Sequence, residues 1–517
     1  MKSEYDKNDD EVILLSKVFY HLMQGEEKEA VAFYNKAIKK NKYILDVLDR
    51  IANPNLIKFS TDSDEKYVEA LRIVMKFDYF FSKEYYFDFI VKSPGIKPIN
   101  EVIKYFETKK VPIYTDLELA YSLFPKRKII AITGTNGKTT VTHMIDALLE
   151  KPNKPTALIG TIYRKIGPKI IQTHNTTPEI LTLHETFQEL KEIGGETCLM
   201  EVSSHALQLG RVWGLDYDCV VFTNLTHEHL DLHKTMEQYA HAKSLLFSQL
   251  GNYVGENSKP KVAILNADDE QFQMFEYSTP VQVISYGINE EADFKAENIR
   301  TENGHTIFEL VIQNDERYLV DMPLLGIFNV YNMLSAIAVA YVYGISIEEI
   351  LKKVKAFQGV AGRMQSVDKG QDFQVIVDFA HTPDGLENVL DSLAQIPHGK
   401  IITVVGHSGG NRDSSMRPEL GRIALTKSDH VVFTADNPRT EPLVNIYEGL
   451  LSAVNKKSVS YECIDKREEA IEKALQLASA GDIVLLAGKG VEAYQIIGEV
   501  EYPYNEIEVV ESLLGNR

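Results

Sequence analysis

The stretch "KIIAITGTNGKTTVTHMIDALLE", residues 128 to 150, constrains this chain more than any other. Its first residues are an apolar, β-branched run suited to a strand buried on both faces of a parallel sheet. "GTNG" reads as a turn and "KTTVTHMIDALLE" as a helix. A strand that feeds a glycine loop opening a helix aims backbone N–H groups at an anion, which is how phosphate is cradled. The loop departs from the standard pattern, with Ile132 where that pattern has its first glycine. Context compensates for the departure. Gly134 and Gly137 let the backbone turn inward, Lys138 offers a point charge to the β- and γ-phosphates, and the Thr139 hydroxyl can bind magnesium. Gly134, Thr135, Asn136, Gly137, Lys138, Thr139 and Thr140 are therefore the expected nucleotide contacts. A plain strand-to-helix turn is the alternative, and the Lys-Thr-Thr run speaks against it.

Length and charge narrow the class. With 517 residues, 44% hydrophobic and 25% charged, the chain has room for roughly three domains of about 150 residues. Asp and Glu outnumber Lys and Arg by 74 to 55, a net charge of −19, so nucleic acid is not an expected partner. Cys198, Cys219 and Cys463 show no metal-type spacing and leave one unpaired in any disulfide scheme. The opening "MKSEYDKNDDEVILL" has acids where a secretory signal needs basic residues, and no run approaches the roughly 20 apolar residues of a membrane helix. These features suit a reducing cytoplasm.

The chain divides into three blocks. Residues 1–125 open with helical spacing over 11–50, broken at Gly25, and continue from "YYFDFIVKSPGIKP" to "KKVPIYTDLELAYSLF" as an α/β unit. "EEKEAVAFYNKAIKK" resembles one helix of a tetratricopeptide unit but has no second copy. "PKRK", residues 125–128, marks the junction. Residues 126–358 alternate strand-like runs such as "KIIAIT", "TCLMEVS" and "CVVFTNL" with helical stretches. Residues 359–517 repeat the pattern with "FQVIVDFA", "KIITVVG", "HVVFTAD" and "DIVLLAG". Each run ends where polar residues begin, the place where ligands gather in doubly wound α/β sheets.

"TGTNGKTT" is followed in order by "HNTTPE", "MEVSSHAL", "THEHLDLH", "AHAKSLLF", "FNVYNMLSA", "AGRMQ", "DFAHTPDGL", "DNPRTEP" and "GKGVEAYQ". Over residues 125–495 this series resembles the Mur ligase family, most closely its UDP-N-acetylmuramoyl-tripeptide synthetases. The resemblance implies a three-domain α/β architecture: a nucleotide-substrate domain over 1–125, a central P-loop ATPase domain over 126–358 and a C-terminal Rossmann-like domain over 359–517. It implies a cytoplasmic, monomeric, ATP- and magnesium-dependent amide ligase of peptidoglycan synthesis. Such an enzyme activates the carboxylate of UDP-MurNAc-L-Ala-D-Glu as an acyl phosphate and joins a diamino acid to it.

Residue roles follow from the same resemblance. Lys138, Glu201, His229 and Lys243 are the expected catalytic group, with Thr139 and Glu201 on one magnesium. His229 and Lys243, the latter as a carbamate formed with carbon dioxide, support a second. A bare ammonium cannot bind a cation, which is why the carbamate is required. His227, His233 and His241 crowd the same region and suggest a polar cleft. Asn175, Thr176, Thr177, Ser203 and Arg211 match acceptor-binding positions, although Thr177-Pro178-Glu179 could instead cap a helix. Asn329 and Asn332 match adenine contacts, with helix capping as their alternative; Arg363 closes over the phosphates, Asp378 meets the ribose and His381 lines the same cleft. Arg412, Asp436, Asn437, Arg439, Gly488 and Glu492 match the amino-acid pocket. There "DNPR" accompanies meso-diaminopimelate, because its arginine engages a distal carboxylate that lysine lacks.

The chain departs from the family in two places. Val491 stands where the family has a histidine, and a valine cannot hydrogen-bond, so altered amino-acid binding is expected. The first 90 residues do not resemble the tripeptide synthetases, while "VKSPGIKP" with "VPIYTDLELAY" resembles the N-terminal domain of the D-glutamate-adding ligase. Other readings are a paralogue using L-lysine or a non-standard carboxylate acceptor, a catalytically silent nucleotide-binding regulator, and a motor-type P-loop NTPase.

Overall fold

The structure, a computed structural model, describes residues 128–515 except 152, 174, 252–260, 303, 314–315, 411 and 455–459, together with two short paired strands, Ile90–Lys92 and Ile113–Thr115. The expected helical hairpin over 11–50, the tetratricopeptide-like helix and most of the "PKRK" junction lie outside the described residues. Everything below concerns the compact unit that includes Thr115–Arg517.

An eleven-stranded sheet organises its first part. The strand order runs from Glu316–Met322 through His305–Ile312, Phe294–Glu302, Gln282–Gly287, Val262–Asn266, Cys219–Phe222, Lys128–Thr133, Thr197–Glu201 and Thr156–Ile159 to Tyr163–Ile166 and Lys169–Gln172. From Phe294–Glu302 to Thr156–Ile159 every pairing is parallel. Both edges finish in antiparallel strands. Lys128–Thr133 sits between two parallel neighbours, which explains its unbroken apolar run. Ile130 and Ile132 face the core formed with the helices Lys138–Leu149 and Ile327–Val342, while Ile129 and Ala131 face a second core with Leu183, Leu207 and Phe247. Each of these isoleucines contributes about 1.5–3 kcal/mol by leaving water.

The three strands from Phe294 to Met322 differ from the strand-and-helix alternation read from the sequence. They form an antiparallel meander with no intervening helix. The signal lay in "HTIFELVI", whose residues alternate between half-buried and buried as a one-sided strand requires.

A six-stranded sheet organises the second part, in the order Gln365–Ser366, Gln374–Asp378, Ile483–Ala487, Ile401–Val405, His430–Phe433, Tyr461–Cys463. All its pairings are parallel except the first. A hairpin, Tyr494–Ile497 with Val500–Pro503, and the helix Glu506–Gly515 complete the chain. That helix is pinned by a fully buried pair, in which Arg467 donates to both Glu506 oxygens at 2.7 and 2.6 Å and to the Ala487 carbonyl at 3.0 Å.

Candidate active site

The C-terminal ends of strands from both sheets border one cleft of about 710 Å³. Every site residue predicted from the sequence lines it except Gly134 and Asn329.

The loop after Lys128–Thr133 is shaped by two glycines in the left-handed region. Gly134 has φ 147° and Gly137 φ 84°; a Cβ would collide with Thr223 Oγ1 at the first and Asn332 Oδ1 at the second. The segment after Cys219–Phe222 staples the loop. Asn224 accepts from the amides of Thr135 and Asn136, both at 2.8 Å, and Thr223 Oγ1 donates to the Asn136 carbonyl at 2.7 Å. Lys138 Nζ lies back over its own loop, donating to the carbonyls of Gly134 and Thr135 at 2.8 and 2.7 Å. Burial lowers the Lys138 pKa, with the Arg363 charge adding to the effect and Glu228 and Glu201 opposing it.

Thr139 and Glu201 meet directly. The Thr139 hydroxyl donates to Glu201 Oε2 at 3.0 Å and accepts from Arg363 Nη2 at 3.1 Å. Thr161, which the sequence reading missed, gives Glu201 its amide and its hydroxyl, both at 2.9 Å. Arg363 lies over the Phe379 ring at 4.6 Å, a stacking that fixes the guanidinium plane.

Lys243, on the helix Met236–Ser248, is buried; its Nζ donates to the Gly134 carbonyl at 2.8 Å and lies over the Tyr239 ring at 4.7 Å. Burial, and then the charge of Lys138, push its pKa well below the ordinary lysine value. His229 adopts φ 60° just before the helix Leu230–His233, and burial lowers it to about 4, with His205, Lys243 and Lys138 acting the same way against Glu228.

Glu228 was also missed. Its carboxylate stands 3.4 Å from both His229 and His381. Burial pushes this carboxyl up, but His229, His381 and Lys138 outweigh it and hold it far below the usual range. Burial pulls His381 down, but the bond and charge of Glu228, with the Phe379 carbonyl and the Asp436 charge, together outweigh it and raise His381. Asn136 Nδ2, donating to Asp384 Oδ2 at 2.6 Å, also bridges the two sheets' surroundings.

On the acceptor side, Thr177 Oγ1 donates to the Glu201 carbonyl at 2.9 Å and accepts from the Ser203 amide at 3.0 Å. Thr176 meets Thr161 at 3.0 Å, Asn175 is exposed, and Arg211 bonds Glu179 at 3.0 Å. Thr177 does not cap the helix Ile180–Glu192, whose N-cap is Glu179 without a side-chain bond. Ser203 does cap its own helix through the Ala206 amide. Asn329 and Asn332 are not caps either, since the helix Ile327–Val342 starts after Gly326. Asn332 donates to Asn329 Oδ1 at 3.2 Å and stands under Gly137. Asp378 gives its two oxygens to the amides of Met364 and Ala380, each at 2.7 Å, and so clamps the turn that carries Arg363.

At the remaining wall, Asn437 Nδ2 donates to Glu492 Oε2 at 2.9 Å, and Ser408 Oγ donates to Asp436 at 2.8 Å. Gly488 has φ 107°. Arg439 adopts φ 52° and donates to the carbonyls of Gly409 and Asn437 at 3.3 and 3.4 Å. Burial and the neighbouring Arg412 lower its pKa. Among the described residues neither Arg412 nor Arg439 forms an ion pair, so two adjacent guanidiniums face the cleft.

Family models for the Mur ligase middle domain and for the Mur ligase glutamate ligase domain match residues 132–340 and 362–490. The UDP-N-acetylmuramoyl-L-alanyl-D-glutamate--2,6-diaminopimelate ligase of Listeria monocytogenes serotype 4b is 48% identical over 372 residues, 72% of this chain and 75% of its own. The ligase of that name from Halalkalibacterium halodurans is 47% identical over 391 residues, 75% of this chain and 79% of its own. A solved structure with the same protein name superposes with a TM-score of 0.54 at 31% identity, over 78% of this chain and 84% of that one. This chain belongs to the Mur ligase family.

Two expectations for this Mur ligase need correction. His227, His233 and His241 do not line its cleft. His233 is buried against Ser204 at 2.9 Å, His227 meets Ser415 at 3.2 Å, and His241 is exposed. Val491 does not line the cleft either; it packs on Gly362, where a Cβ would meet the Val491 amide at 2.6 Å and its Cγ1 at 3.0 Å.

Proposed function

We propose that this Mur ligase joins meso-diaminopimelate to UDP-MurNAc-L-Ala-D-Glu in the cytoplasm, in an ATP- and magnesium-dependent step of peptidoglycan synthesis. The observation that carries the choice of amino acid is the Arg412–Arg439 pair, unpaired by carboxylates among the described residues and open to the cleft that also holds the phosphate loop. Two adjacent guanidiniums suit a carboxylate.

In the first step an oxygen of the D-glutamyl carboxylate attacks the γ-phosphorus of ATP, and the bond to ADP breaks to leave an acyl phosphate. The loop amides and Lys138 offset charge on the transferring group, and Arg363 closes over it. Thr139 and Glu201 would hold magnesium; one hydroxyl and one carboxylate suit an ion that keeps waters and phosphates as its other ligands. That fit needs no larger carboxylate cluster, and among the described residues no group of three or more His, Cys, Asp or Glu forms one. Bound magnesium withdraws charge from the phosphates.

In the second step the amine attacks the acyl carbon, the bond to phosphate breaks, and the amine loses a proton. Arg211 and the Asn175–Thr177 segment orient the acceptor, and Arg412 and Arg439 orient the amino acid. Lys243 is suited to carbamylation, because a neutral amine is the form that attacks carbon dioxide with loss of a proton. The resulting carboxylate beside a neutral His229 imidazole would support a second magnesium. Residues 1–125, 126–358 and 359–517 act in this reading as acceptor, nucleotide and amino-acid domains. The third swings onto the second as the substrates bind; X-ray scattering without compaction on adding an ATP analogue and acceptor would count against that motion.

The test is mass-spectrometric detection of the ligation product from ATP, magnesium and UDP-MurNAc-L-Ala-D-Glu, with meso-diaminopimelate and L-lysine in separate reactions. Product with meso-diaminopimelate supports the reading. Product with L-lysine alone would reject the role given to Arg439.

A further inference from the structure

Behind the wall that carries Asn437, Glu492 and Tyr494 lies an ammonium that the reaction above does not use. Lys489 is 0% exposed. It donates to Asn437 Oδ1 at 2.9 Å, to the Tyr494 carbonyl at 2.7 Å and to the Glu492 carboxylate, and Asp436 stands 3.6 Å away. Removing a charge from water is costly unless it is paired and hydrogen-bonded, so these partners hold the ammonium in one place.

The converse matters more for the cleft. Asn437 Oδ1 accepts from Lys489 and from the Ile496 amide, so its Nδ2 is turned toward Glu492 Oε2. That same Glu492 oxygen takes both Lys489 and Asn437, which sets the carboxylate plane. Asp436, Asn437, Glu492 and Tyr494 all line the cleft, and Lys489 does not. The Arg467–Glu506 pair, which ties the helix Arg467–Leu477 to the helix Glu506–Gly515 and is equally buried, has neither member on the cleft.

We propose that Lys489 is a positioning residue that sets amino-acid selectivity, by holding Asn437 and Glu492 in the orientation that meets the incoming diamino acid. This rests on the reading of that wall as the amino-acid pocket. With Lys489 present, the two carboxylates Asp436 and Glu492 leave one net negative charge to attract a substrate ammonium, while Arg412 and Arg439 attract a carboxylate. Without it the two carboxylates repel, and the Asn437 oxygen loses one of its two donors and keeps only the Ile496 amide.

The experiment is steady-state kinetics of Lys489→Met in the full chain, varying each substrate in turn. The expected result is a KM for meso-diaminopimelate raised about tenfold or more, KM values for ATP and acceptor within about twofold of wild type, and a narrowed preference over L-lysine. An unchanged KM for the amino acid, or parallel changes in all three KM values, would overturn the proposal. If circular dichroism shows Lys489→Met unfolded, Lys489→Arg, which keeps the charge but changes the donor geometry, is read by the same criteria. The wild-type arm reports separately on the proposed function: turnover with no amine would reject that reading, whereas wild-type turnover with an unselective variant effect rejects only the role of Lys489.

Discussion

Two lysines of this Mur ligase are both buried, in opposite surroundings. Lys489 has two carboxylates, an amide oxygen and a carbonyl around it, which hold its side chain in one place. Lys243 has one carbonyl, an aromatic ring and the cationic Lys138 nearby, so burial and then a like charge favour its neutral amine against the opposing charge of Glu228. Burial alone therefore does not assign a lysine its role. The acceptors and charges around each one make the difference.

Replacing Lys243 is the most severe way to test that contrast. Lys243→Ala is expected to lower kcat about 10³-fold, as loss of a metal-supporting group does, with part of the activity returned by Lys243→Glu or by added short carboxylic acids. Full activity in Lys243→Ala would remove the carbamate from the account. Arg467 belongs with Lys489 as a matched buried cation, and Arg467→Met leaves Glu506 uncompensated. A loss of about 3 kcal/mol is expected, read as a lowered Tm.

His407 sharpens the comparison from the Lys243 side. It is buried near Arg417, and burial with that like charge lowers it from 6.5 to about 4. A folded pKa below the unfolded value means that the folded state binds fewer protons, so this stability is complete above pH 6.5 and is lost as the pH falls toward 4. His229, lowered to about 4 for related reasons, adds in the same direction, whereas the raised His381 opposes them. Denaturant titrations are expected to show a net loss on the order of 2 kcal/mol between pH 7 and pH 4.5, and no loss would contradict the burial of these rings as neutral groups. The smallest effect is expected at Val491. Because this side chain packs on Gly362, Val491→His should change the KM for the amino acid by less than about twofold. A large gain in affinity would mean that position 491 reaches the substrate.

The sequence was most readable where structure is local. Strand, glycine loop and Lys-Thr-Thr helix lie within 128–149, and their geometry follows from that order. The antiparallel meander was passed over because the surrounding chain alternates strand and helix, although "HTIFELVI" carries period-two burial. Glu228 and Lys489 stood inside quoted motifs without a role, since their meaning comes from His381 and Asn437, partners distant in sequence. The histidine-rich "THEHLDLH" and "AHAKSLLF" segments misled for the opposite reason. Of His227, His233 and His241, the first directly neighbours the cleft residues Thr226 and Glu228, while the other two sit on the helices Leu230–His233 and Met236–Ser248, and none of them lines the cleft.

The most direct test of ligase chemistry is inorganic phosphate release from ATP, with acceptor and meso-diaminopimelate omitted one at a time. Sustained release only when both are present, one phosphate per amide formed, is the expected result. Sustained release with neither present would make the phosphate loop that of a simple NTPase and contradict the account built on this cleft.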